Sequence, residues 1–142
     1  MAASTVRVAE AVYADASIEV VARLLDGAER TWLRTVARLA AASTAPRARP
    51  DIVDVIELGP SSRSGDDAVM WPLAWQREPP AVFEQLHGTL VVEPLGTGAR
   101  LVVHGTCEVD DVPVATGASR PHERLVRALL GLVRNVVEQG QV

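Results

Sequence analysis

The segment FEQLHGTLVVEPLGTGARLVVHGTCEV, residues 83–109, holds two runs of alternating residues around the dipeptide Gly96-Thr97. If that dipeptide is a two-residue hairpin loop with Gly first, as a type II′ turn prefers, the register of both strands follows. Glu93 then lies opposite Arg100, a favourable cross-strand charge pair. Val92 meets Leu101, Leu90 meets Val103 and Leu86 meets Cys107, all on one face. His87 meets Thr106 and Thr89 meets His104 on the other. Pro94 falls outside the hydrogen-bonded pair next to the turn, so its missing N–H does no harm. Four independent features agree on this one register.

The same period-two alternation runs upstream of the hairpin. DIVDVIEL (51–58) reads as a strand, GPSSRSGDD as a turn, AVMWPLAWQ (68–76) as a strand and REPP (77–80) as a turn. Further back, VRVAEAVY (6–13) alternates well enough for a first strand. Asp15 or Ser17 can cap a helix, IEVVARLL, which Asp26-Gly27 ends. Residues 28–42 place Trp32, Leu33, Val36 and Leu39 at helical spacing, although their latter half also suits a strand. The linker STAPRARP follows. The chain closes with PHERLVRALLGLVRNVVEQ, where Leu125, Leu129, Leu132, Val133 and Val136 recur at helical spacing, Pro121 suits the first turn and Gly140 follows the end. At 1.5 Å per residue this helix runs roughly 28 Å, enough to cross a sheet. The pattern is α+β: a strand, two short helices, several antiparallel strands and a long C-terminal helix.

Composition narrows the function classes. The 142 residues suit one domain, read as 1–142, and 48% apolar with 23% charged residues suit a globular one. The net charge is −4, and the fourteen basic residues, all Arg, are scattered from Arg7 to Arg134. No basic stripe tracks a phosphate backbone, so nucleic acid is not an expected partner. A chain without Lys and rich in Ala, Val and Arg points to a GC-rich bacterial genome. No run approaches the ~18 apolar residues of a membrane span. The N-terminus has acidic residues and no continuous apolar stretch, unlike a signal peptide. The lone Cys107 allows no internal disulfide, so a cytoplasmic location is expected. A homodimer is expected only on general grounds.

The order of elements, together with AVMWPLAWQREPPAVFEQLHGTLVVEPLGTGARLVVHGTCEV (68–109), resembles the helix-grip superfamily. That group includes SRPBCC and START-type proteins, polyketide cyclase/dehydrase-like proteins and pollen-allergen relatives. The resemblance lies in a Trp-containing strand, an L-x-G-x-L strand (Leu86 to Leu90) and a PLGxG turn (Pro94 to Gly98). It implies a curved antiparallel sheet wrapped around the long helix with a cavity between them. Members bind lipids, sterols, polyketides or hormones, and some catalyse cyclisation or dehydration. The family has no universal catalytic motif to carry over. Residues 28–50 are short compared with many relatives, a departure that points to a missing or reduced strand and leaves the size of the cavity open.

Candidate site residues follow from the faces. Val69, Trp71, Leu73 and Trp75 share one face of their strand, the two Trp roughly 13 Å apart at ~3.3 Å per residue. Either they line a cavity and stack on a flat apolar ligand, or they are ordinary core. Leu86, Leu90, Val103 and, from the last helix, Leu129 would complete such a wall. Gly88 and Gly105 face each other on the same side, marking either a dent for a ligand or a sharp bend of the sheet. Glu10 is in phase with Val8 and Val12, and Asp54 with Ile52 and Ile56. Each is a weak candidate for a general acid or base, or an acid at a sheet end whose head reaches water. His104 and Cys107, three apart on a strand, point to opposite faces and cannot share a metal. His87 and His104 are expected outward, and His122 exposed at the start of the last helix. No metal or cofactor is expected, and no nucleophile or nucleotide motif is present. Three functions fit: a carrier of an apolar small molecule, a polyketide cyclase or dehydratase using Glu10 or Asp54, and an interaction domain with a filled core.

Overall fold

The computed structural model describes residues 4–27, 31–44, 53–63, 65, 67–81, 83–109 and 121–139. The elements are β1 (Ser4–Ala14), α1 (Ile18–Asp26), α2 (Thr31–Thr44), β2 (Val53–Leu58), β3 (Ser62–Arg63), β4 (Val69–Ala81), β5 (Phe83–Leu95), β6 (Gly98–Val109) and α3 (Pro121–Gln139). The strands form one antiparallel sheet in the order β1-β6-β5-β4-β2, with the two-residue β3 paired to the start of β4. α3 packs along β1 and α2 and touches β6 at fewer points. This is the α+β helix-grip arrangement: an antiparallel sheet, a long C-terminal helix, and two short helices after the first strand.

The β5–β6 register is the one the alternation dictates, from Leu95 opposite Gly98 to Leu86 opposite Cys107. Gly96 takes φ +62 and Thr97 does not share the positive region, which is the type II′ signature. Leu86, Leu90, Val92, Leu101, Val103 and Cys107 are buried, and His87, His104 and Thr106 are exposed.

α1 starts where Ser17 accepts the amide of Val20, so of the two possible caps Ser17 is the one used. It stops at Gly27, where ψ turns to 143 while φ stays at −57, so no left-handed conformation is needed and glycine's conformational freedom is not what ends it. α2 is helical through Thr44, which resolves the ambiguity of its latter half. Leu33, Val36, Ala37 and Ala40 form its buried stripe, and the small Ala side chains let it lie close to α3. Residues 28–30, most of the linker (45–50), Asp51, Ile52 and Gly140 lie outside the described residues.

Three expectations need correction. REPP is not a turn: β4 continues through it to Ala81, and β2 pairs with it there, Val53 with Glu78 and Asp54 with Arg77. The prolines cannot donate to the β5 ladder, and the β4–β5 register accordingly shifts between Gln76 and Ala81. The polar stretch before β4 is not all turn, because it contains β3. His122 is buried rather than exposed. One turn of helix brings it onto the face of Leu125 and Val126, and that face is wider than the sequence spacing suggested. Val126, Leu130 and Val137 are buried in α3, whereas Leu132 and Val136 are only partly so.

Candidate functional site

Pairing across the sheet arranges the side chains under the helices into rows. One row runs Ile56–Trp75–Leu86–Cys107–Val6, the next Leu58–Leu73–Gly88–Gly105–Val8, the third Trp71–Leu90–Val103–Glu10. A fourth contains Val69, Val92, Leu101 and Val12. The structure thus brings Val69, Trp71, Trp75, Leu86, Leu90 and Val103 onto one surface, and Leu129 of α3 joins the same core. None of these seven is more than 4% exposed. Water does not reach these seven side chains, whereas Val6, Val12, Gly88 and Gly105 in the same rows are partly accessible.

Both tryptophans of β4 have their polar edge tied off. Trp71 Nε1 donates to Asp26 Oδ1 at 2.8 Å, and Trp75 Nε1 donates to Asp54 Oδ1 at 2.8 Å. With the donors satisfied, the indoles present ring carbon to the interior. The two acceptors differ in setting. Asp26 is exposed at the C-terminal end of α1, where it also accepts Ser61 Oγ at 3.4 Å. Asp54 is buried on β2 and forms an ion pair with Arg77, Nε to Oδ1 2.7 Å, with side chains only 4% and 5% exposed.

The candidate acids are therefore placed differently from either expectation. Asp54 is neither an unpaired buried acid nor an acid reaching water, because its Oδ1 takes both a Trp and an Arg donor. Glu10 lies mid-strand, and its Oε1 accepts Arg127 Nε of α3 at 2.8 Å. The Glu10 side chain is 11% exposed and that of Arg127 53%, so the pair marks the seam where α3 crosses the edge strand β1. Arg77, Asp26 and Arg127 were not among the sequence candidates. The odd-numbered alternation Trp71, Leu73, Trp75 continues to Arg77, and that phase was the available signal. Nothing local pointed to Asp26 or Arg127, whose partners are distant in sequence.

A Cβ on Gly88 would collide with the carbonyl oxygen of His104 and lie 2.8 Å from Gly105 Cα. A Cβ on Gly105 would likewise collide with the carbonyl oxygen of His87. The glycines permit a close approach of the two backbones, which favours the bend over the dent. Burial pushes the Cys107 thiol up to about 11. No cluster of His, Cys, Asp or Glu among the described residues is arranged to hold a metal. His87 Nε2 lies 3.0 Å from Gln85 Oε1 on the outer face. Among the described residues no helix is long and apolar enough to cross a membrane.

The chain is similar to solved structures along nearly its whole length. The Thermus thermophilus protein TTHA0849 shares 20% identity and a TM-score of 0.51, covering 96% of this chain and 100% of its own. The allergen Ara h 8.0201 shares 10% identity at a TM-score of 0.47, with 96% and 99% covered. An uncharacterised protein from Rhizobium leguminosarum shares 12% at 0.44, with 94% and 97% covered. No family model and no curated protein sequence matches the chain. The likeness to the Thermus protein supports the helix-grip fold and nothing finer.

Proposed function

We propose that the chain is an SRPBCC- or START-type carrier that holds an apolar small molecule between α3 and the inward face of the sheet. The observation that carries this reading is the treatment of Trp71 and Trp75. Each indole donates its only polar hydrogen to a carboxylate, which leaves an apolar aromatic surface among Leu86, Leu90 and Val103. A lipid, polyketide or aromatic metabolite suits such a surface. Titration with a panel of these compounds, followed through tryptophan fluorescence, is expected to saturate for at least one class. A folded sample that responds to none would overturn the reading.

The close packing of the same residues favours a second reading, an interaction domain whose core is filled and whose outside does the work. Self-association or a copurifying chain, without small-molecule binding, would support it. The enzyme reading gains least. A general acid or base must reach a substrate proton, yet Asp54 Oδ1 is engaged by two donors and Glu10 by one.

A further inference from the structure

We infer that Asp26 and Trp71 form a releasable latch and that α1 is the wall that moves to open the interior. The inference rests on the carrier reading for its purpose but on independent geometry for its mechanism. Trp71 and Trp75 stand four residues apart on one face of β4, and each donates its indole N–H to a carboxylate at 2.8 Å. Trp75 is fixed: its acceptor Asp54 is buried, sits on the neighbouring strand and is held by Arg77. Breaking that contact would leave the Trp75 N–H unpaired beside a carboxylate that is itself buried, with no water at hand to take the place of either group. Trp71 is different because its acceptor Asp26 is exposed and belongs to a nine-residue helix. When the contact breaks, water satisfies Asp26 at once, so nothing charged is left buried.

The rest of α1 is lightly held. Among the described side chains it buries only Val21 and Leu25, against four in α2 and seven in α3. Among the described residues, the side-chain hydrogen bonds that tie α1 to the sheet side are those of Asp26, to Trp71 and to Ser61. Asp26 also sits at the C-terminal end of α1, where the helix dipole disfavours a carboxylate. An acid there gains from its distant partner, not from its own helix. Because Trp71 is wholly buried, a molecule reaches it only if some covering element lifts, and among the described helices α1 has the weakest hold.

Hydrogen exchange tests this, with Asp26→Ala and Asp26→Asn beside the parent protein. In the parent, the Trp71 indole N–H and the amides of Val21 to Leu25 should exchange at least about tenfold faster than the Trp75 indole and the β5–β6 amides. Asp26→Ala should speed exchange in α1 and at Trp71 by about another tenfold, with β5 and β6 unchanged. Asp26→Asn, which keeps an acceptor oxygen, should fall nearer the parent. Uniform exchange in the parent, or a variant that accelerates every amide equally, would overturn the latch. Stopped-flow binding of 1-anilinonaphthalene-8-sulfonate supplies the second readout, and association should be faster in Asp26→Ala. Equal association rates in parent and variant would overturn α1 as the way in. If the probe binds neither protein while exchange behaves as expected, the carrier reading fails and the latch is upheld.

Discussion

Gly88 and Gly105 face each other across β5 and β6 so closely that neither position has room for a Cβ. The pair lies on the inward face between the rows of Trp75 and Trp71, and it lets the two backbones approach closely there. Gly88→Ala or Gly105→Ala should each cost about 3 kcal/mol in urea denaturation, because backbone rather than a flexible side chain must give way. Gly131 in α3 is the control, since a Cβ there meets nothing within 4 Å. Gly131→Ala should stabilise by about 0.5–1 kcal/mol, the helix-interior penalty of glycine.

Removing one member of the buried Asp54–Arg77 pair leaves the other uncompensated, and Asp54 also satisfies Trp75. Asp54→Ala and Arg77→Met should each cost about 3–5 kcal/mol. The double variant should cost less than their sum by more than about 1 kcal/mol, since it removes the stranded charge. A double-mutant cycle in denaturant measures this, and simple additivity would show that the two groups do not depend on each other.

Much of this architecture was legible from the chain alone, for identifiable reasons. The β5–β6 register was over-determined, because charge pairing, apolar alternation, the turn glycine and Pro94 all had to agree. Arg77 was not legible, since the prolines after it suggest a turn and its partner lies 23 residues away on β2. The role of Asp26 was hidden for the same reason: next to Gly27 it reads as a helix stop, while its partner Trp71 is 45 residues distant. The burial of His122 was not legible either, because the first turn of a helix is ordinarily solvated and only packing reveals that this one is not. Local pattern revealed the elements, and the polar contacts that join them are long-range.

Cys107 gives a pH signature. Its thiol ordinarily titrates at 9.0 and burial raises it to about 11 in the folded protein. The buried neutral thiol therefore contributes stability that is fully present below 9.0. That contribution is lost between 9.0 and about 11, as the unfolded chain ionises first. Denaturation profiles of the parent and Cys107→Ala should diverge in slope across that window and run parallel below it. At neutral pH the thiol should resist alkylation until the protein is unfolded.

The Glu10–Arg127 pair spans the seam between β1 and α3, with Arg127 half in water. Arg127→Ala should therefore cost no more than about 1 kcal/mol, and the cost should shrink in high salt. A larger, salt-independent loss would mean that the arginine stem rather than its charge holds α3 to the edge strand.

The carrier claim is tested most directly by a native mass spectrum of the gently purified protein, repeated after denaturation. Added mass of small-molecule size that disappears when the fold is lost is the expected result. A spectrum of the bare chain before and after denaturation, together with self-association or a copurified partner chain, would contradict it and leave the filled-core interaction domain.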